Sequence, residues 1–305
     1  MYESRIYTAQ VVADWVHENP HVVFVVNLSA GKDSATAACV LREAEIPHRL
    51  VFADTGWEAK ETYEYLETLD KLIGPIDRVG VPGGMVAKIR ERAGFPARLQ
   101  RWCTRELKVE PLRVYYDAIE AQGKEAICVT GIRAEESEER AAMPIVEYDE
   151  AWRGWMWRPV RDFTIEDVLR MHHRHGIPLN PLYRRGHNRV GCYPCIFSSK
   201  TDIRLVAEHA PERVATIREL EREMTAERLR RNEQDPGRYK YPEATFFQTL
   251  IGDRSHYRGP QFIDQIVAWS RTTRGGRQLP MFPEVPDGGC FRWGLCDAPA
   301  LNREE

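Results

Sequence analysis

Two hydrophobic rhythms alternate along the first 130 residues. The run Val22-Val-Phe-Val-Val-Asn-Leu28 is almost continuously apolar and predicts a buried parallel strand, and the Ala-rich segment 35–41 after it predicts a helix. Residues 48–53 and 76–81 read as two further strands. Between them, Tyr63, Leu66, Leu69, Leu72 and Ile73 recur at helical spacing over residues 58–73. Leu107, Leu112, Tyr115 and Ile119 give a second strong helix over 105–122, with Pro111 expected to kink or split it. Ala126-Ile-Cys-Val-Thr-Gly131 closes the series as another buried strand. Strand and helix in turn imply an α/β fold, a parallel sheet with helices on both faces.

Past residue 150 the pattern changes. Trp152, Trp155 and Trp157 fall within six positions. A helix follows over 164–175, with Thr164 as its cap, acidic residues in its first turn, His172, His173 and His175 near its end, and Gly176 as its stop. Those histidines are expected at the surface. Residues 200–231 read as two helices broken near Pro211, 232–242 as a turn or linker, and about 260–270 as a last helix. The expected division is an α/β domain over 1–160 and a helical and loop C-terminal region over 161–305. There is no internal repeat and no low-complexity segment.

The segment Ser29-Ala-Gly-Lys-Asp-Ser34 joins the first strand to the first helix. Such a loop aims backbone N–H groups and a helix N-terminus at one spot, which suits an anion. Lys32 adds a cation, and Ser29 and Ser34 add hydroxyls. Asp33 would repel a bare phosphate but suits a phosphate chain carrying Mg²⁺. The loop is not a Walker A motif, since Val26 stands where the first glycine belongs and Asp33 where Ser or Thr belongs. Asp54-Thr-Gly56 and Gly131-Ile-Arg133 also follow strands directly, so three segments converge on the carboxyl edge of the sheet, where ligands of such sheets bind.

A net charge of −3 over 305 residues gives no global pull toward nucleic acid or anionic membrane. Arginines 184, 185 and 189, and 228, 230 and 231, cluster locally and read as solvated charge. No apolar stretch spans a bilayer and the N-terminus lacks a signal-peptide pattern, so a cytoplasmic location with no membrane partner is the expectation. Seven cysteines in such a chain point to metal or redox chemistry before disulfides. Cys39 and Cys128 lie inside an apolar helix and strand and read as core. Cys103, the Cys-x-x-Cys pair Cys192 and Cys195, and the tail residues Cys290 and Cys296 leave five candidates for a four-thiolate site, for Zn²⁺ or an iron–sulfur cluster.

Residues 29–34 resemble the S-G-G-K-D-S pyrophosphate loop of the PP-loop superfamily, with Ala30 for the usual first inner glycine. Four further segments resemble the phosphoadenosine phosphosulfate (PAPS) reductase-like family within it. Asp54-Thr-Gly-Trp-Glu58 is similar to its D-T-G segment, and Arg101-Trp-Cys-Thr-Arg-Glu-Leu-Lys-Val-Glu-Pro111 to its R-x-C-T-x-x-L-K-x-x-P segment. Gly131-Ile-Arg-Ala-Glu-Glu-Ser137 with Arg140 is similar to G-x-R-x-x-E-S-x-x-R, and Trp157-Arg-Pro-Val-Arg-Asp-Phe-Thr164 to W-x-P-[IL]-x-D-W-T. The likeness runs in order over about residues 22–200. It implies a Rossmann-like (HUP-type) sheet and an enzyme binding ATP or an adenylyl nucleotide.

Carried over by position, the resemblance implies phosphate binding by Ser29, Ala30, Gly31, Lys32, Asp33 and Ser34, with Asp33 helping to place Mg²⁺. Asp54 and Gly56 would sit near ribose or adenine. Gly131, Arg133 and Arg140 would meet phosphates or the second substrate, with Glu136 orienting an arginine. Lys32, Asp33, Lys108 and Arg133 are the candidate catalytic residues. Cys103, Cys192 and Cys195, with Cys290 or Cys296, would ligate a [4Fe–4S] cluster, Zn²⁺ being the alternative. Cluster-bearing adenylyl-sulfate reductases resemble C-C then C-x-x-C, where this chain has Trp102-Cys103, and the nearest match to their E-C-G-[LI]-H tail is Gly294-Leu-Cys-Asp297. The leading expectation is therefore adenylation of a target by cleavage at the α-phosphate, followed by sulfur transfer. It takes a nucleic acid or a small molecule as sulfur acceptor, and a donor protein for sulfur or electrons. The alternatives are a sulfonucleotide reductase releasing sulfite, and a non-catalytic, zinc-stabilised nucleotide-binding module.

Overall fold

The computed structural model describes residues 12–16, 18–247 and 261–272. Among them the chain forms two compact units, the first from residues up to 81 together with 104–192, the second from 82–103 together with 193–272. The first unit is built on a six-stranded sheet of β1 (Val22–Leu28), β2 (His48–Asp54), β3 (Ile76–Gly80), β4 (Glu125–Val129), β5 (Val146–Asp149) and β6 (Gly154–Trp157). Their order is β3-β2-β1-β4-β6-β5. All neighbours run parallel except β5, which pairs antiparallel with β6 at the edge. The four strands and flanking helices expected from periodicity are present. The wholly parallel sheet is not: β5 and β6 add a hairpin that the tryptophan-rich stretch conceals. There Met156 and Trp157, adjacent and therefore on opposite faces of β6, are both buried, so alternation is lost.

Helices α1 (Lys32–Glu43) and α2 (Lys60–Ile73) follow β1 and β2, and α3 (Gly84–Arg92) belongs to the second unit. The long helix expected over 105–122 divides. Arg105–Val109 is a π-helical turn in which the Glu110 N–H reaches back to the Arg105 carbonyl, and α4 (Glu110–Glu120) continues with Pro111 in its first turn. Pro111 has no N–H to offer the Leu107 carbonyl, which accounts for the widened turn before it. α4 lays Leu112, Tyr116 and Ile119 on Val25, Val51, Ala126, Cys128 and Trp152, forming a core on one face of the sheet. Tyr116 and Trp152 meet edge to face at 5.2 Å. Phe24, one residue out of phase with Val25, points to the other face and meets Trp157 at 5.5 Å. The short α5 (Glu138–Ala141), α6 (Ile165–Arg174) and α7 (Pro181–Arg184) complete the first unit. Thr164 caps α6 in a reciprocal box with Asp167, and α6 packs beside α1.

In the second unit, α8 (Lys200–His209) and α9 (Pro211–Gln234) are separated at Pro211, and α10 (Ile263–Ser270) packs on both. Val214, Ile217, Leu220 and Met224 of α9 are buried with Ile263 and Ile266. Buried among them, Glu221 accepts the Phe246 N–H through one oxygen and the Ile263 N–H through the other, both at 2.9 Å. No helix among the described residues is long and apolar enough to cross a membrane.

Burial pushes the Glu221 carboxyl up to about 7, against 4.5 when unfolded, and the two N–H donors and Arg218 only partly oppose it. A raised acid favours the folded state fully below its unfolded value and loses that contribution as pH rises through about 7. Denaturant unfolding of Glu221→Gln should therefore lack part of the wild-type fall in stability between about pH 5 and pH 8; superimposable pH profiles would contradict this.

Candidate functional site

The first strand ends where strand order reverses. β2 and β3 lie to one side of β1 and β4, β6 and β5 to the other, with Val26 paired to Val129 and Leu28 to Phe52. A crevice opens outside the carboxyl ends of the strands at such a switch point. Residues 29–31 and 130–131 flank it. Gly131 is required there: a Cβ on it would stand 2.4 Å from the Ser34 nitrogen and 2.5 Å from the Asp33 carbonyl carbon. The end of β4 thus touches the first turn of α1 backbone to backbone.

The loop is tied by its own serines. Ser34 Oγ accepts the Ser29 N–H at 3.1 Å and lies 3.2 Å from the Gly31 carbonyl, and Ser29 Oγ accepts the Gly31 N–H at 3.3 Å. Ala30 adopts φ +58°, the left-handed conformation that explains why similar loops carry glycine at this point. Gly31 caps α1 without a side-chain hydrogen bond, so the first turn has no capping oxygen of its own. Such a turn presents N–H groups and the positive end of the helix dipole to a ligand.

Asp33 organises the charge. It is 2 % exposed, with Lys32 Nζ at 2.9 Å on one carboxylate oxygen and Arg133 Nε at 2.5 Å on the other. Burial alone would raise its carboxyl, but the charges of Lys32 and Arg133 outweigh burial and hold it below the usual carboxylate range. Arg133 also pairs with Glu135 at 2.6 Å, and Glu135 accepts the Ile165 N–H at the start of α6. Glu136 pairs with the buried Arg140 and accepts the Arg133 N–H. Each oxygen of Asp33 thus faces one cation, Lys32 on one side and Arg133 on the other.

The Asp54 turn forms a second cluster. Asp54 Oδ1 accepts the Gly56 N–H and the Tyr63 hydroxyl, both at 2.8 Å, and Gly56 takes φ +66°. Beside it Glu58 is buried and receives the Thr55 hydroxyl at 2.6 Å and the Tyr63 hydroxyl at 3.1 Å. Burial raises its carboxyl, with the nearby Lys108 charge opposing. Lys108 is itself buried in the π-helical turn. Sequence reasoning assigned Glu58 no role. Its signal is a carboxylate two residues past the turn glycine, which only its burial near the Lys108 charge makes distinctive.

Three side chains from beyond residue 170 also reach the loop, none of them anticipated. His172, expected at the surface, is buried, with Nε2 2.8 Å from the Lys32 carbonyl and Nδ1 3.2 Å from that of Ile177. The packing of α6 on α1 turns it inward, whereas His175 meets Glu43 at 2.9 Å. Asn180 Nδ2 donates to the Ala30 carbonyl at 3.2 Å, and the Tyr183 hydroxyl accepts the Lys32 N–H at 3.4 Å. Nor are the clustered arginines all solvated: Arg185 pairs with Glu61, Arg189 is buried, and Arg228 Nε donates to the Ala93 carbonyl at 2.6 Å.

None of the five described cysteines is in a disulfide. Burial pushes Cys39 and Cys128 up to about 12, as suits core thiols. Cys103, Cys192 and Cys195 are half-buried, which by donor chemistry suits a soft metal. Cys192 lies in the first unit, bridged through its backbone to Glu58, while Cys103 and Cys195 lie in the second. Cys290 and Cys296 fall outside the described residues. Among the described residues no group of three or more His, Cys, Asp or Glu side chains gathers as a metal site, so the expected Cys-rich centre has no counterpart there.

A family model, the phosphoadenosine phosphosulfate reductase domain, matches residues 23–198. An uncharacterized 37.8 kDa protein from the gpa 5′ region of Escherichia phage 186 is 31% identical, over 86% of this chain and 92% of its own. The adenosine 5′-phosphosulfate reductase of Allochromatium vinosum is 29% identical, over 61% of this chain and 72% of its own. A crystal structure of the PAPS reductase of Candida auris, in a phosphate complex, is similar with a TM-score of 0.48 at 19% identity, covering 61% of this chain and 88% of that one.

Two substitutions test the loop geometry. Gly131→Ala should cost roughly 1–3 kcal/mol in denaturant unfolding, because backbone must move to admit the methyl group. Ala30→Gly should raise stability by up to about 1 kcal/mol, since a left-handed alanine costs roughly 1–2 kcal/mol and glycine returns part of that to unfolded-chain entropy. A neutral first change or a clearly destabilising second one would contradict the geometry.

Proposed function

The chain belongs to the phosphoadenosine phosphosulfate reductase domain family, and from that premise we propose that it binds ATP or a related adenylyl nucleotide with the phosphate chain over residues 29–34. The observation that carries this reading is the Lys32–Asp33–Arg133 set, with Asp33 and Arg133 buried and Lys32 part-exposed, beside the first turn of α1. Asp33 and Arg133 offset each other in the interior, and the part-exposed Lys32 ammonium adds a cation next to backbone donors. The Lys32 ammonium and the first-turn N–H groups of Asp33 and Ser34 receive the outer phosphates, and Arg133 meets the α-phosphate or the second substrate, with Arg140 behind it. Asp33 positions Lys32 and Arg133. The Asp54–Gly56 turn lies toward ribose or adenine.

The reaction proposed is attack by a substrate oxygen on the α-phosphorus. A new P–O bond forms to the target, the bond to the bridging oxygen breaks, and pyrophosphate leaves. Positioning and charge stabilisation carry such a displacement. Cys103, Cys192 and Cys195, with Cys290 or Cys296, are proposed as thiolates for an iron–sulfur cluster. When bound, that group supplies sulfur or electron transfer to the adenylated target. Lys108, beside Glu58, offers a cation for charge developing on sulfur or oxygen. The sulfur acceptor, a nucleic acid or small molecule, and the donor protein belong to this proposal. The names of relatives such as the Allochromatium reductase favour a second reading, reduction of a sulfonucleotide to sulfite.

Pyrophosphate release from ATP should be lost in Lys32→Ala and in Asp33→Ala, and undiminished turnover in both would overturn the assignment. Protein purified without oxygen should be brown, absorbing broadly near roughly 400 nm; a colourless protein with one Zn²⁺ would contradict the cluster. Sulfite released from PAPS or adenylyl sulfate with a thiol donor and no ATP would select the second reading.

A further inference from the structure

Two carboxylates hold the Arg133 guanidinium, and only one of them, Asp33, belongs to the Ser29–Ser34 loop. The other is Glu135, which occupies an unassigned position of the segment that resembles G-x-R-x-x-E-S. A single oxygen of Glu135, Oε2, receives both Arg133 Nη1 at 2.6 Å and the Ile165 N–H at 2.9 Å. Ile165 opens α6, whose first turn has N–H groups to satisfy. The Ala134 N–H donates to the Arg161 carbonyl at 2.7 Å, so the turn that carries Glu135 is tied to the segment leading into α6. Further along, α6 places His172 on the Lys32 carbonyl. Glu135 thus joins the start of α6 to the guanidinium that Asp33 also holds.

We propose that Glu135 is a positioning residue of this site, which acts through Arg133 by fixing the plane of its guanidinium. A guanidinium is a rigid planar fork, so contacts on two of its nitrogens set its orientation. Asp33 takes Nε and Glu135 takes Nη1. Nη2 makes no hydrogen bond among the described residues, and its donors are the ones left for an anion. With Asp33 alone, a single contact at Nε would let the outer nitrogens swing about it. The Glu135 side chain is half-exposed, so water screens its charge and the pair adds little to stability. Its effect is therefore on direction: the acceptor oxygen holds Nη1 in place more than the charge does. This inference rests on the nucleotide reading, in which Arg133 meets a phosphate, and adds to it the residue that aims Arg133.

The test is calorimetric titration with ATP and with adenylyl sulfate of wild type, Glu135→Ala, Glu135→Gln, Arg133→Lys and the double variant Glu135→Ala/Arg133→Lys, after thermal unfolding has established which of them fold. Glu135→Ala should weaken the tighter of the two ligands roughly three- to tenfold. Glu135→Gln keeps an oxygen for Nη1 and for the Ile165 N–H, and should retain affinity within about twofold of wild type. Arg133→Lys keeps a charge for Asp33 but gives up the planar fork, so Glu135→Ala should cost nothing further in that background. Unchanged affinity in Glu135→Ala, an equal loss in Glu135→Gln, or the same loss in the Arg133→Lys background overturns the proposal and leaves the nucleotide reading intact. Should Arg133→Lys not fold, the contrast between Glu135→Ala and Glu135→Gln decides. Wild type that binds neither ATP nor adenylyl sulfate removes the nucleotide reading, and this proposal with it.

Discussion

The Asp33 carboxylate, buried between two cations, is the interaction on which the site depends. Desolvating an ion costs several kcal/mol, and a buried carboxylate persists only with close partners. Lys32 and Arg133 are those partners, at 2.9 and 2.5 Å. They come from different elements, one from the start of α1 and the other from beyond the end of β4. The contact therefore clamps the two segments that border the crevice. It also fixes where the two positive groups stand, since each is held by the same rigid carboxylate. The half-exposed Glu135 adds a weaker, solvent-screened partner to Arg133.

The sheet makes that clamp geometrically available. Strand order places the ends of β1 and β4 side by side, and Gly131 permits backbone contact between β4 and α1. On the other side of β1, β2 brings the Asp54 turn and Glu58 to the same carboxyl edge. The segment from His172 to Tyr183 then bonds to the carbonyls of Ala30 and Lys32 and to the Lys32 N–H. The Ser29–Ser34 loop is consequently held by serines within itself and by α6 and α7 from outside.

Much of this was legible in the sequence because local signals and tertiary demands agree. An apolar run, a small-residue loop and an Ala-rich helix start leave little freedom for residues 22–43, and the structure follows them. Thr164 and Pro211 mark real helix boundaries. Other features depend on contacts that no local pattern encodes. The β5–β6 hairpin is hidden because Met156 and Trp157 are buried on opposite faces of β6. His172 looks like a helix-end histidine until α6 packs on α1. The pairing of Asp33 with Arg133 joins residues a hundred positions apart. Glu58 becomes distinctive only beside Lys108, which a π-helical turn ahead of Pro111 delivers.

The most direct test of the central claim is a crystal structure of the protein with a non-hydrolysable ATP analogue bound. The phosphate chain should lie over the first-turn N–H groups of Asp33 and Ser34 between the ends of β1 and β4, with Lys32 and Arg133 turned to its oxygens and Asp33 still bridging both. Phosphates bound elsewhere, or an Asp33 released from Arg133 to ligate a metal ion, would contradict the account.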